Sequence, residues 1–370
     1  MAKFFAWILF IATFIFLAKT LFLGFYPDFN TQYYVPQLVF KGINPYAGGS
    51  MLYTPQVYPP TMFLLYLPFS LVPLLASSYI YTFVSLCSLI VGLYFLSKYF
   101  GVRFFSITNM VLMSFVFIFF PVKFTLGMGQ VNLIILALLV ICLYLLKQKK
   151  YLTSGVLLGI PLVVKLFPVF LPLLFLKPFN KRVFYGLFVT LSISTFLVLF
   201  FIPHKIISEF LNILPSFVNS WKLDYYNQAL SGIIGRSMGV DLFSSTVKTV
   251  VSLIIVCITF FSIYKNRSMD LYATALKFGV VICVNVLVNT FSWQHHFVWM
   301  VVPLYATYFF ILKKGYAKKY FLLLLISYFL MAGNFSKPEV LPIIIQSHVF
   351  MGGLILLLLD CYLLMKKGAK

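Results

Sequence analysis

The feature that most constrains this chain is the repetition of apolar runs of about 20 residues, separated by short segments that carry lysine and arginine. A helix of about 20 apolar residues has the length that crosses the hydrocarbon core of a bilayer. Of the 370 residues, 62% are hydrophobic and 9% are charged, whereas soluble domains average about 25% charged residues. So few charges cannot cover a water-facing surface, and the sequence predicts a polytopic membrane protein.

The placement of the basic residues predicts the topology. The net charge is +21, from 28 basic and 7 acidic residues. Proteins that bind nucleic acid gather such residues on one exposed face, but here they punctuate the apolar runs, so we expect no nucleic-acid partner. Basic residues in short loops mark the cytoplasmic side. The inner side is therefore marked by Lys3, Lys98/Arg103, Lys147/Lys149/Lys150, Lys177/Lys181/Arg182, Lys265/Arg267, Lys313/Lys314/Lys318/Lys319 and Lys366/Lys367/Lys370.

This orientation predicts an all-α bundle of about ten full spans with both termini in the cytoplasm. The spans are expected at 4–25, 77–97, 106–126, 130–147, 183–203, 246–264, 271–291, 297–312, 320–334 and 343–364. The first run lacks a small-x-small cleavage site and is taken as a retained span. Residues 60–75 and 152–177 each begin and end on one side, the latter interrupted by Pro161 and Pro168. Both are expected to be re-entrant or broken hairpins, which membranes tolerate where the backbone lines a cavity.

Two long external loops, 26–59 and 204–245, are expected to form the functional site of a single integral membrane domain, 1–370. Long loops are usually functional or disordered, and these are too aromatic and apolar to be disordered. The external segments also hold most of the carboxylates. These acids are Asp28, Glu209, Asp224, Asp241 and Glu339, accompanied by the basic residues Lys41, Lys205, Lys222, Arg236 and Lys337.

Asp28 is the only acid in the first external loop. Tyr33 and Tyr34 follow at helical spacing with Leu38 and Val39, which predicts a short amphipathic helix at the membrane interface. Asp28 is therefore either a reactive carboxylate beside the membrane or a helix N-cap or solvated loop charge.

Five lysines lie within or at the edge of apolar segments: Lys19, Lys123, Lys165, Lys248 and Lys277. Two of them are candidates for the site. Lys165 lies in the predicted broken hairpin, where an ammonium must face a cavity or a partner or snorkel to the cytoplasm. Lys123 lies near the outer end of its span and can either hold a lipid phosphate or snorkel to the headgroups. Gln130 and Asn132 open the next span, where polar side chains bond neighbouring helices or contact sugar hydroxyls.

The tract FSWQHHFVWM places His295 and His296 side by side at the outer end of a span. Adjacent residues do not share one face of a helix, which argues against a two-histidine metal site. One histidine can donate to a phosphate while the other packs. The chain has no Walker A sequence, GxGxxG or HExxH, and its five cysteines lie in apolar runs without CxxC spacing. We expect neither a metal nor a cofactor.

An ordered set of segments resembles glycosyltransferase family 87, the polyprenol-phosphate-mannose-dependent α-mannosyltransferases of the GT-C superfamily. The matching segments are DFNTQYY, GINPY, YPP, GQVN, GVLLGIPLVVKLFP, NQAL and SWQHH. The resemblance spans roughly 28–300, and Ala229 of NQAL departs from the family's NQS-like element. It implies a GT-C-like bundle with a short helix after the first span and a catalytic aspartate in the first external loop, which by position is Asp28.

The resemblance also implies the substrates. The donor would be a polyprenyl-phosphate sugar, with mannose as the expected sugar, and the acceptor a lipid or glycan at the external face of the cell membrane. Asp28 stands alone in its loop, which fits a monophosphate donor, metal-free chemistry and a single inverting displacement. Donors to the leaving phosphate are expected in the order His295, His296, Lys123 and Lys165. The full set of expected substrate contacts is Tyr34, Asn44, Tyr46, Tyr58, Lys123, Gln130, Asn132, Lys165, Gln228, His295 and His296.

Two other functional classes remain open from the sequence. A transporter or flippase of lipid-linked sugars would need cavity-lining charges in both leaflets and no catalytic acid. The chain shows no internal repeat, which weakens that reading. The third class is an assembly or anchoring protein without catalysis.

The topology is tested by single cysteines introduced at Pro45 and Tyr225, one in each external loop. We expect a membrane-impermeant maleimide to label both positions in intact cells, because the basic clusters put both loops outside. Labelling of either position only after permeabilisation would contradict the topology and the external site.

Overall fold

The computed structural model describes residues 1–47, 57–176, 180–217, 222–336 and 338–366. Four of the basic residues used to predict the topology, Lys177, Lys337, Lys367 and Lys370, lie outside these ranges. So do parts of the two long loops that were predicted to be external, residues 48–56 and 218–221.

The described residues form helices and no strand, and an isolated antiparallel bridge joins Asn227 and Trp293. The helices are α1 (Ala2–Ala18), α2 (Pro27–Phe40), α3 (Thr61–Ser70), α4 (Leu74–Phe100), α5 (Ile107–Ile118), α6 (Phe120–Met128), α7 (Asn132–Lys147), α8 (Tyr151–Lys165), α9 (Lys181–Phe201), α10 (His204–Phe217), α11 (Leu230–Met238), α12 (Leu242–Lys265), α13 (Leu271–Val288), α14 (Val301–Lys314), α15 (Lys318–Ala332), α16 (Ile343–Gln346) and α17 (His348–Met365). Short 3₁₀ turns extend α1 to Phe22, precede α14 at Gln294–Met300, and follow α8 at Leu171–Phe175. The predicted polytopic helical fold is confirmed.

Seven helices within the described ranges are long and apolar enough to cross a membrane, fewer than the ten expected. They are Ala2–Phe22, Leu74–Phe100, Lys181–Phe201, Leu242–Lys265, Leu271–Val288, Gln294–Lys314 and His348–Met365. α5 and α6 are bent by 53° relative to each other, and they make an eighth span if together they form one broken helix. The bend lies where Phe119 adopts extended backbone angles and Pro121 opens α6. Proline lacks the amide hydrogen that would continue the helical ladder.

The two remaining expected spans form helices that are too short to cross unaided. α7 has 16 residues and α15 has 15, so each is about 24 Å long or less at 1.5 Å per residue. The hydrocarbon core is about 30 Å thick. Hydropathy found both apolar runs. α7 begins at Asn132 and not at residue 130, and α15 is as short as the apolar run that predicted it.

The two segments expected to be irregular contain short helices joined by turns. α3 has ten residues and turns through Leu71–Pro73 into α4. Pro161 does not interrupt the second segment as expected, because it lies inside α8. The break comes after Lys165, where Leu166 has a positive φ of 52° and Phe167 precedes a cis proline. A bulky residue rarely adopts that φ, so this turn is a strained point of the backbone.

The most buried spans are α13, α14 with its preceding turn, and α17, while α1, α9 and α12 are mostly exposed. The exposed side chains of these outer helices are phenylalanine, leucine and isoleucine, as a lipid-facing surface requires. α8 and α9 pack closely because Gly155 faces the backbone of Val183 and Gly186 faces that of Leu152.

The helix predicted after the first span is present as α2, but it is an internal element. Only Pro27 and Phe40 of its 14 residues are exposed. Its approach to the α6–α7 junction depends on Gly129, which ends α6 with a φ of 69°. A Cβ at this glycine would lie 2.5 Å from the Cβ of Phe29 and 3.0 Å from that of Tyr26. Glycine therefore permits both the backbone turn and the contact with α2.

Substitution Gly129→Ala should destabilise the protein by about 1–3 kcal/mol, because it adds a left-handed non-glycine residue and overlaps α2. Gly127→Ala is the matched control, since its Cβ would meet only the Cδ1 atom of Leu23, at 3.7 Å. The measurement is the midpoint of thermal unfolding in detergent. Equal midpoints for the two variants would show that the close contact does not hold α2 in place.

Candidate functional site

Asp28 lies in the first turn of α2, where its carboxylate does not cap the helix. The N-cap residue is Tyr26, and no side chain caps the α2 amides. The Asp28 Oδ2 atom instead accepts a hydrogen bond of 2.5 Å from Nε2 of Gln130, 102 residues away in the chain. The other carboxylate oxygen has no protein hydrogen bond within the described residues. The helix-cap alternative is therefore wrong for Asp28.

Gln130 connects Asp28 to two further side chains. Its Oε1 atom accepts from the hydroxyl of Tyr58 at 3.0 Å and from Nζ of Lys165 at 3.1 Å. An ammonium only donates and a carboxylate only accepts, so the amide can have only this orientation. The Gln130 side chain is buried, and both of its ends are engaged.

Lys165, the last residue of α8, is anchored from several directions. Its ammonium donates to Oδ1 of Asn132 at 2.7 Å as well as to Gln130. It also lies 5.2 Å from the ring centroid of Tyr58 and 6.0 Å from that of Trp299, distances at which an aromatic face attracts a cation. The ammonium bonds the amide oxygens of both residues that open α7.

The amide of Asn132 joins this network to the histidine tract. Its Nδ2 atom donates to the backbone oxygen of His295 at 3.1 Å, and Oγ1 of Thr125 donates to the same oxygen at 3.1 Å. Trp299 Nε1 donates to the backbone oxygen of Asn132 at 2.9 Å. Gln130, Asn132, Lys165 and the backbone of His295 therefore belong to one connected group of hydrogen bonds that reaches Asp28.

Burial is the main influence on the acidity of Asp28. It raises the pKa of the carboxyl above its ordinary value, while the hydrogen bond from Gln130 and the charge of Lys165 act in the opposite direction. The carboxylate and the ammonium share the Gln130 amide, and no direct ion pair joins them. The one ion pair between described residues joins Lys314 and Asp270 elsewhere.

A cavity of about 210 Å³ adjoins this network. Its wall is formed by Val57, Tyr58, Pro59, Lys165, Leu166, Phe167, Leu214, Asn289, Thr290, Phe291 and His296. The polar groups come from the end of loop 26–59, the end of α8 and the connection between α13 and α14. Leu214 belongs to α10, so loop 204–245 also contributes to the cavity.

The two histidines occupy different positions. Their rings contact each other edge to face, with centroids 4.5 Å apart. His295 packs against Phe124 and Trp293 and is absent from the cavity wall. His296 lines the cavity, and its Nδ1 atom accepts the backbone N–H of Trp293 at 2.9 Å. The neutral His296 ring therefore carries its proton on Nε2, which has no protein partner within the described residues.

Other expected contact residues lie apart from the cavity. Lys123 is exposed and its ammonium lies 4.6 Å from the ring centroid of Phe16. Gln228 is fully buried and bonds the backbone of Tyr225, Gln346 and Phe350. This residue connects the second external loop to α16 and α17.

The remaining residues of the first loop have local roles. Tyr34 is half-buried and packs edge to face on Tyr33. Asn44 accepts the backbone N–H of Tyr46 at 2.9 Å, which closes a turn. The Tyr46 hydroxyl donates to the backbone oxygen of Tyr58 at 3.0 Å and so supports one wall of the cavity.

Asn289 and Thr290 were missed in the sequence analysis. The span expected at 271–291 placed them inside the membrane, but α13 ends at Val288. The signal was present in the adjacent polar pair directly before FSWQHH, because asparagine and threonine are better suited to a helix end than to a lipid-facing turn.

Residues 57–290 match the model of glycosyltransferase family 87. No curated protein and no solved structure matches the chain. The match begins one residue before Tyr58 and includes Gln130, Asn132 and Lys165; Asp28 precedes it and the two histidines follow it. The matched region is more than half of the 370 residues, and the chain therefore belongs to glycosyltransferase family 87 as a membrane glycosyltransferase.

Proposed function

We propose that this protein transfers a sugar from a polyprenyl-phosphate donor to the hydroxyl of a lipid or glycan acceptor, with Asp28 as the general base. Mannose is the first candidate for the sugar, and the external face of the cell membrane is the proposed place of reaction. The observation that carries the proposal is the chain of contacts from Asp28 through Gln130 to Lys165, beside a cavity that His296 also lines.

In this proposal Asp28 is the base that takes the proton of the acceptor hydroxyl. Gln130 holds one carboxylate oxygen, and the other has no protein donor within the described residues. The acceptor oxygen attacks the anomeric carbon as its proton passes to this second oxygen. General-base assistance of this kind contributes about 10²–10⁴-fold to a rate.

The bond from the anomeric carbon to the phosphate oxygen breaks in the same step, and polyprenyl phosphate leaves. Lys165 and the Nε2–H group of His296 are the donors on the cavity wall that can stabilise the charge on this oxygen. They take precedence over His295 and Lys123, which lie outside that wall. One displacement inverts the anomeric centre, so a β-linked donor gives an α-linked product.

Within the described residues, no group of three or more His, Cys, Asp or Glu side chains is placed to hold a metal ion. The proposed steps use only Asp28, Lys165 and His296. Metal-independent transfer remains part of the proposal. The transporter alternative lacks support, because the family to which the chain belongs consists of glycosyltransferases.

The first test of this function is Asp28→Asn. The change keeps the size of the side chain and one acceptor oxygen but removes the charge that takes the proton, so turnover should fall by about 10²–10⁴-fold while donor binding persists. The measurement is transfer of label from radiolabelled polyprenyl-phosphate mannose to a lipid extract by the purified protein.

Asp241→Asn is the matched control for Asp28→Asn. Asp241 is exposed and caps α12 through the amide of Ser244, and asparagine caps helices equally well. It should retain the wild-type rate. Wild-type turnover by Asp28→Asn would exclude the proposed base and direct attention to Glu209 and Asp224.

The pH dependence provides a second test. Protonated Asp28 cannot accept a proton, so kcat/KM should fall as the pH drops through its pKa, which burial places above the ordinary aspartate value of about 3.9. Gln130→Leu removes a hydrogen bond that favours the carboxylate, and the acid limb of the pH profile should move to higher pH. The measured quantity is the pH at the midpoint of the acid limb of kcat/KM, and not the maximal rate. An unchanged or lowered limb would show that Asp28 does not control it.

A further inference from the structure

The connection between α13 and the 3₁₀ turn before α14 contributes Asn289, Thr290 and Phe291 to the cavity wall. None of these residues takes part in the proton transfer or holds the leaving group in the proposed reaction. Their presence in the same cavity as Lys165 and His296 therefore needs another explanation.

This connection is held in place by the second external loop. The Ser231 hydroxyl donates to the backbone oxygen of Thr290. The amide of Ser292 donates to Oδ1 of Asn227 at 3.1 Å, and its backbone oxygen accepts from the amide of Gln228 at 2.8 Å. These bonds fix the backbone at Thr290 and directly after Phe291, as a preorganised binding site requires.

The side chains of Asn289 and Thr290 retain polar groups that bond no protein atom. Oδ1 of Asn289 accepts the N–H of Thr290 at 2.7 Å, and a backbone amide only donates, so Nδ2 of Asn289 must face the other way. Within the described residues, neither this Nδ2 atom nor Oγ1 of Thr290 has a protein hydrogen-bond partner. Both side chains are half-buried and lie on the cavity wall.

The character of the rest of the wall restricts the ligand. Phe167, Phe291 and Leu166 supply apolar surface, while the cationic and imidazole donors come from Lys165 and His296. The volume of about 210 Å³ is below the roughly 300–1,000 Å³ of sites for drug-sized ligands. A small ring that carries several hydroxyls has the size and polarity of this space, and the polyprenyl chain does not.

We propose that Nδ2 of Asn289 and Oγ1 of Thr290 hydrogen-bond hydroxyls of the donor's sugar ring and select that sugar. This inference rests on the proposed function, because it assumes a lipid-phosphate hexose as donor. A hydroxyl-binding site discriminates against an analogue that lacks the hydroxyl, since the protein groups are then left unpaired.

Hydroxyls of a glycan acceptor offer the same chemistry, so the test measures the donor alone. The experiment uses full-length Asp28→Asn protein in nanodiscs, with no acceptor present. It measures the equilibrium binding of polyprenyl-phosphate mannose and of its four single-deoxy derivatives. We expect at least one deoxy derivative to bind about tenfold more weakly than the parent, the effect of one lost hydrogen bond.

Thr290→Val, made in the same protein, should abolish the discrimination at one ring position. The parent donor would bind about tenfold more weakly, and the corresponding deoxy derivative would bind as before. Thr290→Ser retains the hydroxyl and should restore discrimination. Thr246→Val is the matched control, because Thr246 is exposed on α12 and bonds its own helix at Leu242.

Asn289→Leu tests the second group. Leucine is close to asparagine in size but has no polar atom to bond a ring hydroxyl, so the change should remove discrimination at a different ring position. Unchanged discrimination in both Thr290→Val and Asn289→Leu would overturn this inference alone. Failure of every polyprenyl-phosphate hexose to bind would overturn the proposed function with it. Wild-type donor binding by the variants, with an altered acceptor KM when the same changes are made in the active protein that retains Asp28, would assign the two groups to the acceptor and overturn the inference.

Discussion

The site depends on the amide of Gln130, which links a carboxylate to an ammonium and also separates them. A direct buried pair between Asp28 and Lys165 would use the charge of each residue to neutralise the other. With the amide between them, Asp28 keeps one oxygen without a protein donor and Lys165 remains on the cavity wall. Both ends of the amide are engaged, so it cannot rotate without losing three hydrogen bonds.

The residues around this amide come from segments that do not cross the membrane as regular helices. Asp28 lies on the buried helix α2, Gln130 lies in the turn between α6 and α7, and Lys165 precedes the strained turn at Leu166. Irregular backbone is tolerated in a membrane protein where it lines a cavity or is buried in protein. The long spans α13, α14 and α17 provide the packed core against which these irregular segments are held.

Hydropathy was sufficient to predict the helical class and most of the spans. The sequence also pointed to Asp28 in the loop after the first span, and to Gln130, Asn132 and Lys165 within or beside apolar runs. Sequence alone could not separate Lys123 from Lys165, since both are single cations in apolar surroundings. Packing separates them. Lys123 is exposed beside the ring of Phe16, whereas Lys165 contacts two amides brought together by the α6–α7 junction. Span ends were least predictable, which is why Asn289 and Thr290 were placed inside a helix that ends before them.

The same contacts explain how Lys165 would stabilise a leaving phosphate under the proposed function. An ammonium has three N–H donors, and Gln130 and Asn132 accept two of them. The third is left for a ligand in the cavity, and the two bonds fix its direction. Because a lysine side chain is otherwise flexible, this fixation removes reorganisation that would be needed as charge develops on the phosphate oxygen. Gln130 and Asn132 therefore act on the leaving phosphate through Lys165.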